Sequence, residues 1–196
     1  ACSKLGLKSG FIGMVGDDSE GNLLREDLRR EGVDIAGVIS TSAYPTGQVY
    51  IALDKAGKRM MFAFSGAADA LTEKDISLDY IASSKFIHIA DLRNLKPLVV
   101  AAKRAQERET KVSLNPGELI AVQGYDRIKD LLSNVDVLIS SRNEVTQIFR
   151  TENLEYALER TLKSGPEVAV VTLGSEGCIA TDSGGALRRI PPFKTH

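Results

Sequence analysis

The sequence predicts an α/β fold: a parallel sheet with helices on both faces, and a small antiparallel β segment set apart from it. Three observations carry that prediction. Short, nearly all-apolar runs at residues 86–90, 135–140 and 168–173 alternate with helical patterns, and strands apolar on both faces belong in a covered parallel sheet. Residues 46–65 break the alternation, with strand-like patterning on either side of Asp54-Lys55-Ala56-Gly57. That pattern predicts an antiparallel hairpin. Neither an internal repeat nor a low-complexity segment interrupts the chain.

Taken in order, Asp17-Asp18 precedes a helical pattern at 19–31, with Leu24 and Leu28 on one face and Gly32 after it. Asp18 therefore reads as an N-cap rather than a catalytic acid. In the hairpin, Val49, Ile51 and Leu53 fall on one side, which predicts a sheet covered on one face only. Residues 86–90 form a strand, and His88 within it reads as a hydrogen-bonded core histidine. A helix follows at 96–108. Its apolar stripe is Leu95, Leu98, Val99 and Ala102, and Pro97 stands near its first position, where a missing N–H does no harm. Residues 111–114 make the next strand, 125–133 a helix and 135–140 another strand. Two short helices are expected at 143–150 and 154–164, the second stopped by Gly165-Pro166, and then the strand 168–173. Residues 177–181 and 186–190 flank Asp182-Ser183-Gly184-Gly185 and predict a second hairpin.

The chain has 196 residues, 43% of them hydrophobic and 26% charged, with a net charge of −1, the balance of an ordinary globular protein. No Lys/Arg block interleaves with aromatics, so nucleic acid is not an expected partner. No apolar stretch approaches the roughly 20 residues of a bilayer span, and residues 1–10 lack the apolar core of a secretion signal. Cys2 and Cys178 fit neither a metal motif nor a disulfide scaffold. Both are expected as reduced thiols in or near the core, and a cytoplasmic location follows.

In open parallel sheets, ligands bind outside the carboxyl ends of the strands. Asp91 follows the first of these strands, Asn115 the second, and Asn143 with Glu144 the third. Thr172 and Gly174-Ser175-Glu176-Gly177 close the fourth. Any one of these residues is explained by capping a turn or helix; four strand ends in succession point to a ligand cleft. The stretch Thr172–Gly177 is the sharpest local feature, because its glycines let backbone N–H groups approach an anion and its hydroxyls add donors. It is not a Walker A loop. Gly10, Gly13 and Gly16 space as G-x-x-G-x-x-G, which is not the dinucleotide fingerprint. The sequences H-E-x-x-H, C-x-x-C and G-x-S-x-G do not occur, which removes zinc-protease, zinc-ribbon and α/β-hydrolase readings. His196, the last residue, gives no basis for a role.

Residues 5–18 resemble the stretch after the first signature of ribokinase-like (PfkB-type) kinases, with Gly6 and Gly16 at the separation of that signature's closing glycines. Residues 65–72 resemble the segment after that family's lid hairpin. Leu114-Asn115-Pro116-Gly117 resembles its short Asn-Pro stretch, and Asn143-Glu144 and Thr172–Gly177 resemble its two nucleotide-side motifs. These matches run in family order from end to end. The resemblance implies a ribokinase-like core at 1–45 and 66–196 and a β lid at 46–65 that closes over the acceptor. The implied reaction is transfer of the ATP γ-phosphate to a hydroxymethyl group of a sugar or nucleoside, with ATP and Mg²⁺ as cofactors. Asp91, Asn115 and Gly16 would lie on the acceptor side, and Asn143 and Glu144 near the triphosphate and its Mg²⁺. Thr172, Gly174, Ser175 and Gly177 would line the phosphates. Pairing of two copies through the lid is the implied assembly. The family's glycine-Asn sugar motif is expected ahead of Ala1, and the Gly-Ala-Gly-Asp run with the catalytic base beyond His196, so no general base is expected within this chain. Thr146 stands where family members often carry an acid. Two rival readings remain: a non-catalytic sugar- or nucleotide-binding protein on the same fold, and a dinucleotide enzyme.

Overall fold

The computed structural model describes residues 1–55 and 57–193; Ala56 of the first turn and His196 lie outside the described residues. The chain divides into two compact units, Ala1–Ser77 and Leu78–His196.

In the first unit, strand β1 (Ser9–Gly16) and strand β2 (Val33–Thr41) pair in parallel across helix α1 (Ser19–Arg30). Neither strand is legible from composition alone, because β1 carries Gly10, Gly13 and Gly16 and glycine weakens a strand. Close approach explains one glycine. A Cβ at Gly16 would lie 2.5 Å from the backbone nitrogen of Thr46. Asp18 is the N-cap expected, accepting from the N–H of Gly21 at 2.8 Å. It also accepts from the N–H of Thr46 at 2.7 Å and from its hydroxyl at 2.5 Å. The Thr46 hydroxyl oxygen in turn accepts from the N–H of Gly16 at 2.9 Å. Buried Thr46 thus ties the start of α1 to the chain leading into the hairpin.

That hairpin is β3 (Gln48–Leu53) against β4 (Arg59–Phe64), antiparallel, with Tyr50 opposite Phe62 and Ile51 opposite Met61. It forms a two-stranded sheet of its own. The expectation that one face is covered is corrected. Val49, Ile51, Leu53 and Met61 on one side, and Tyr50, Met60, Phe62 and Phe64 on the other, are all 55–69% exposed. Both faces are apolar, so alternation of polarity never existed to distinguish an inner from an outer side.

In the second unit, a six-stranded sheet runs in the order β10-β9-β8-β7-β6-β5. Strands β5 (Phe86–Ile89), β6 (Lys111–Leu114), β7 (Val137–Ser141) and β8 (Val168–Thr172) are parallel. Strands β9 (Cys178–Asp182) and β10 (Arg188–Ile190) return antiparallel, as the second hairpin expected. The helices are α2 (Leu78–Ala82), α3 (Leu95–Gln106), α4 (Gly117–Ala121), α5 (Tyr125–Leu132), α6 (Arg142–Phe149) and α7 (Leu154–Lys163). Asn94 caps α3 through Lys96 N–H, and Asn153 caps α7 through Tyr156 N–H. Val112, Leu114, Leu138, Ile128, Leu131, Ala169 and Val171 are fully buried, each large side chain contributing about 1.5–3 kcal/mol relative to exposure. Asp136, just before β7, is 7% exposed and accepts from Val112 N–H at 2.7 Å, Lys111 Nζ at 2.6 Å and Gln106 Nε2 at 3.1 Å. It anchors β6 to β7 where their ladder begins.

Two further expectations are corrected. His88 donates to or accepts from the Ser113 hydroxyl at 2.7 Å, but it is exposed rather than in the core, because β5 is the edge of its sheet. Cys2 is an exposed free thiol, whereas Cys178 is half-buried, near the core as expected. Among the described residues no helix is long and apolar enough to cross a membrane.

Candidate active site

The carboxyl ends of β5, β6, β7 and β8 lie side by side in the sheet. Asn115 N–H continues the ladder to Ile89 O at 2.9 Å, and Ser141 pairs with Thr172 in the β7–β8 register. Asp91, Asn115, Asn143, Glu144 and the turn after Thr172 are therefore delivered to one edge of the second unit. Gly16, in the first unit, is buried against Pro45 and Thr46, and its backbone serves that packing.

Asp91 folds its carboxylate onto α4: Oδ2 accepts from Leu119 N–H and Oδ1 from Ile120 N–H, each at 3.1 Å. Gly117 makes this approach possible. It adopts φ 56°, and a Cβ there would run into the Asp91 side chain. Desolvation of the carboxyl raises its pKa above the ordinary carboxylate value, and the nearby charge of Glu144 adds to the rise. The backbone N–H groups of Leu119, Ile120 and Glu118 oppose it without cancelling it. A carboxylate has about four lone-pair sites, so acceptor capacity remains for a ligand. Asn115 is half-buried, and among the described residues its side-chain amide meets no hydrogen-bond partner.

At β7, Ser141 and Glu144 form a capping box at the start of α6: the Ser141 hydroxyl accepts from Glu144 N–H at 3.3 Å, and Glu144 Oε2 accepts from Ser141 N–H at 2.8 Å. The S-x-x-E spacing of Ser141 and Glu144 is a capping-box signal carried by the sequence itself. Glu144 is thus half engaged by its own helix. Thr146 donates to the backbone carbonyl of Asn143 at 3.1 Å, and the Asn143 residue is exposed. Ser140, 1% exposed, has a hydroxyl that meets no hydrogen-bond partner among the described residues; the sequence signals only a strand end there.

After β8, the Thr172 hydroxyl donates to Ser140 O at 3.4 Å, and residues Gly174–Glu176 form a 3₁₀ turn closed by Gly177 N–H to Gly174 O at 3.2 Å. The first N–H groups of such a turn have no partner within it. Gly174, at φ 60°, faces open space, and Ser175 is exposed. Gly177, at φ 88°, packs against Ile190 O, where a Cβ would collide. One glycine thus opens the turn and the other lets β10 close behind it. Open backbone N–H groups, the exposed Ser175 hydroxyl and a neutral amide suit phosphate oxygens. Among the described residues no group of three or more His, Cys, Asp or Glu gathers around a metal position.

The profile of the pfkB family carbohydrate kinases matches residues 1–196. The chain belongs to that family. An uncharacterized sugar kinase from Archaeoglobus fulgidus is 32% identical over 178 residues, covering 90% of this chain and 70% of its own length. Ribokinase from Giardia lamblia superposes with a TM-score of 0.87 at 20% identity, over 100% of this chain and 64% of that one. A ribokinase-type protein from E. coli, solved with ATP and Mg²⁺, gives 0.84 at 19% identity, over 99% and 65%. The chain spans 36% and 50% of two further curated relatives. The pfkB family thus accounts for the ribokinase-like fold and the sheet order; the roles of single residues rest on the geometry above.

Proposed function

We propose that the protein carrying this chain transfers the γ-phosphoryl group of ATP to a hydroxymethyl group of a sugar or nucleoside. The observation that supports this most is the turn Thr172–Gly177 at the sheet edge, with Gly174 facing open space, in a chain matched along its whole length by a carbohydrate-kinase family. In this reading Thr172, Gly174, Ser175, Gly177 and Asn143 hold the polyphosphate, and Mg²⁺ would supply charge neutralisation on the phosphoryl oxygens when bound with it. Glu144 keeps α6 in place through its capping box with Ser141. Asp91 and Asn115 orient the acceptor hydroxyls.

Asp91 is exposed at the rim, with its carboxylate held in place by α4, which favours a ligand role for it. Residues 1–196 contain no Gly-Ala-Gly-Asp run. Lacking the base, the 196-residue polypeptide by itself is expected to show no measurable turnover, since losing a general base costs about 10²–10⁴-fold. A coupled assay over a panel of sugars and nucleosides tests both halves. Turnover by the full-length protein is expected. Robust turnover by the isolated 196 residues would sink the second half, and binding without turnover by the full-length protein would favour the non-catalytic reading.

The hairpin supports an assembly. Two uncovered apolar faces on an isolated two-stranded ribbon are unstable alone, and pairing of two copies through β3–β4 covers them. Sedimentation velocity should show a dimer that Phe62→Lys dissociates; a wild-type monomer at every concentration would end this proposal.

A further inference from the structure

A groove in the second unit, formed by the start of α5, the end of α6 and α7, is separate from the strand-end residues described above. Its volume is about 440 Å³, and its walls carry Tyr125, Phe149, Tyr156, Arg127, Arg150 and Arg160. Among the described residues Asp126, in the first turn of α5, is its only acidic side chain. Three guanidiniums against one carboxylate leave the groove positive.

Two of the three arginines are held in defined positions. Arg160 is stacked among rings: its Cζ lies 5.2 Å from the centroid of Tyr125 and 5.9 Å from those of Phe149 and Tyr156. It also donates to the Tyr156 hydroxyl at 3.3 Å. Arg150 terminates α6 in the left-handed conformation, φ 50° and ψ 50°, a position glycine occupies without steric cost. Its guanidinium packs over Gly124, where an added Cβ would lie 3.6 Å from Nε and from one terminal nitrogen. Among the described residues neither Arg127 nor Arg150 has an ion-pair or side-chain hydrogen-bond partner. The chain therefore bears backbone strain to set a second, unpaired guanidinium beside a stacked one.

We propose that this groove binds the phosphate group of a small phosphorylated molecule, with Arg127 and Arg150 as bidentate donors and Arg160 as a fixed positive wall. Phosphate is the chemistry that fits: planar forks match its oxygens, and a double negative charge answers the excess of guanidiniums. The proposal stands apart from the kinase reading.

Calorimetric titration of inorganic phosphate, and separately of a pentose phosphate, into the protein at fixed ionic strength tests it. Saturable binding is expected. Arg150→Gly relieves the left-handed residue, so its melting temperature should equal or exceed that of wild type while phosphate affinity falls at least tenfold. Arg127→Gln should lose a similar factor. Tighter binding of the pentose phosphate assigns the site to a phosphorylated metabolite, and equal affinities assign it to free phosphate. Absence of saturable phosphate binding, or binding undiminished in both variants, overturns the proposal, the latter by placing the anion elsewhere.

Discussion

Replacing Asp91 separates the two tasks open to its carboxylate. Each oxygen accepts one backbone N–H at 3.1 Å, long for charge-assisted bonds of about 2.7–2.9 Å. Asp91 is also exposed at the rim, so each bond belongs at the low end of about 1.5–3 kcal/mol. On loss of the carboxylate, Leu119 N–H is half-exposed and can turn to water. Ile120 is fully buried, and an unpaired donor there costs about 1–3 kcal/mol. Asp91→Ala should therefore destabilise the fold by about 2 kcal/mol. Asp91→Asn keeps one acceptor and removes a desolvated charge, so it should stay within about 0.5 kcal/mol of wild type. In urea, with a slope of about 2 kcal/mol/M, the midpoint falls by about 1 M for alanine and barely moves for asparagine. The pH dependence has a definite sign. Because the folded pKa is raised, the stability linked to protonated Asp91 is fully present below the unfolded value of about 3.9. It is lost as pH rises through the folded value, and Asp91→Asn abolishes that limb. In the full-length protein, Asp91→Asn should weaken acceptor binding at least tenfold, about 1.4 kcal/mol, and leave ATP affinity unchanged. Equal destabilisation by alanine and asparagine would refute the capping argument. Unchanged acceptor affinity in folded Asp91→Asn would remove Asp91 from the site.

Gly177→Ala combines φ 88° with a collision at Ile190 O and should cost more than about 2 kcal/mol. Gly174→Ala meets nothing within 4 Å and should cost only the left-handed penalty of about 1–2 kcal/mol; equal thermal shifts for the two would contradict the close-packing argument. The Asp18 carboxyl is held below the ordinary range by the Thr46 hydroxyl first, then by the N–H groups of Thr46 and Gly21. Its stabilisation is present above the unfolded value of about 3.9 and lost as pH falls through the folded one. Thr46→Val should therefore flatten the acid limb of a stability–pH profile, and an acid limb as steep as that of wild type would count against the assignment.

What the sequence made legible was whatever depends on neighbours along the chain. The apolar runs of β6, β7 and β8 and the cap Asp18 are local signals, and the glycine-rich turn after Thr172 declares its own backbone requirement. Strand β1 escaped because its glycines argue against a strand, and its partner β2 lies beyond a whole helix. An apolar run fixes a strand but not its place in the sheet, so the sequence points to a core position for His88 while the edge strand leaves it wet. The hairpin shows the same limit from the other side: patterning identified two strands, yet with both faces apolar it could not say which, if either, the chain covers. The candidate site divides in the same way. Its strand-end position follows from topology, so Asp91, Asn115 and Asn143 could be picked out before any coordinates. Their partners could not, because Asp91 meets the N–H groups of Leu119 and Ile120 only after β6 has crossed back and Gly117 has turned. That difference fixes which variants are informative. Substitution at Gly174 tests a property written in the local sequence, whereas substitution at Gly117 tests a meeting that only the folded sheet edge brings about. If the carboxylate is kept for a ligand rather than for α4, Gly117→Ala should disturb acceptor binding through Asp91 while leaving the phosphate turn intact.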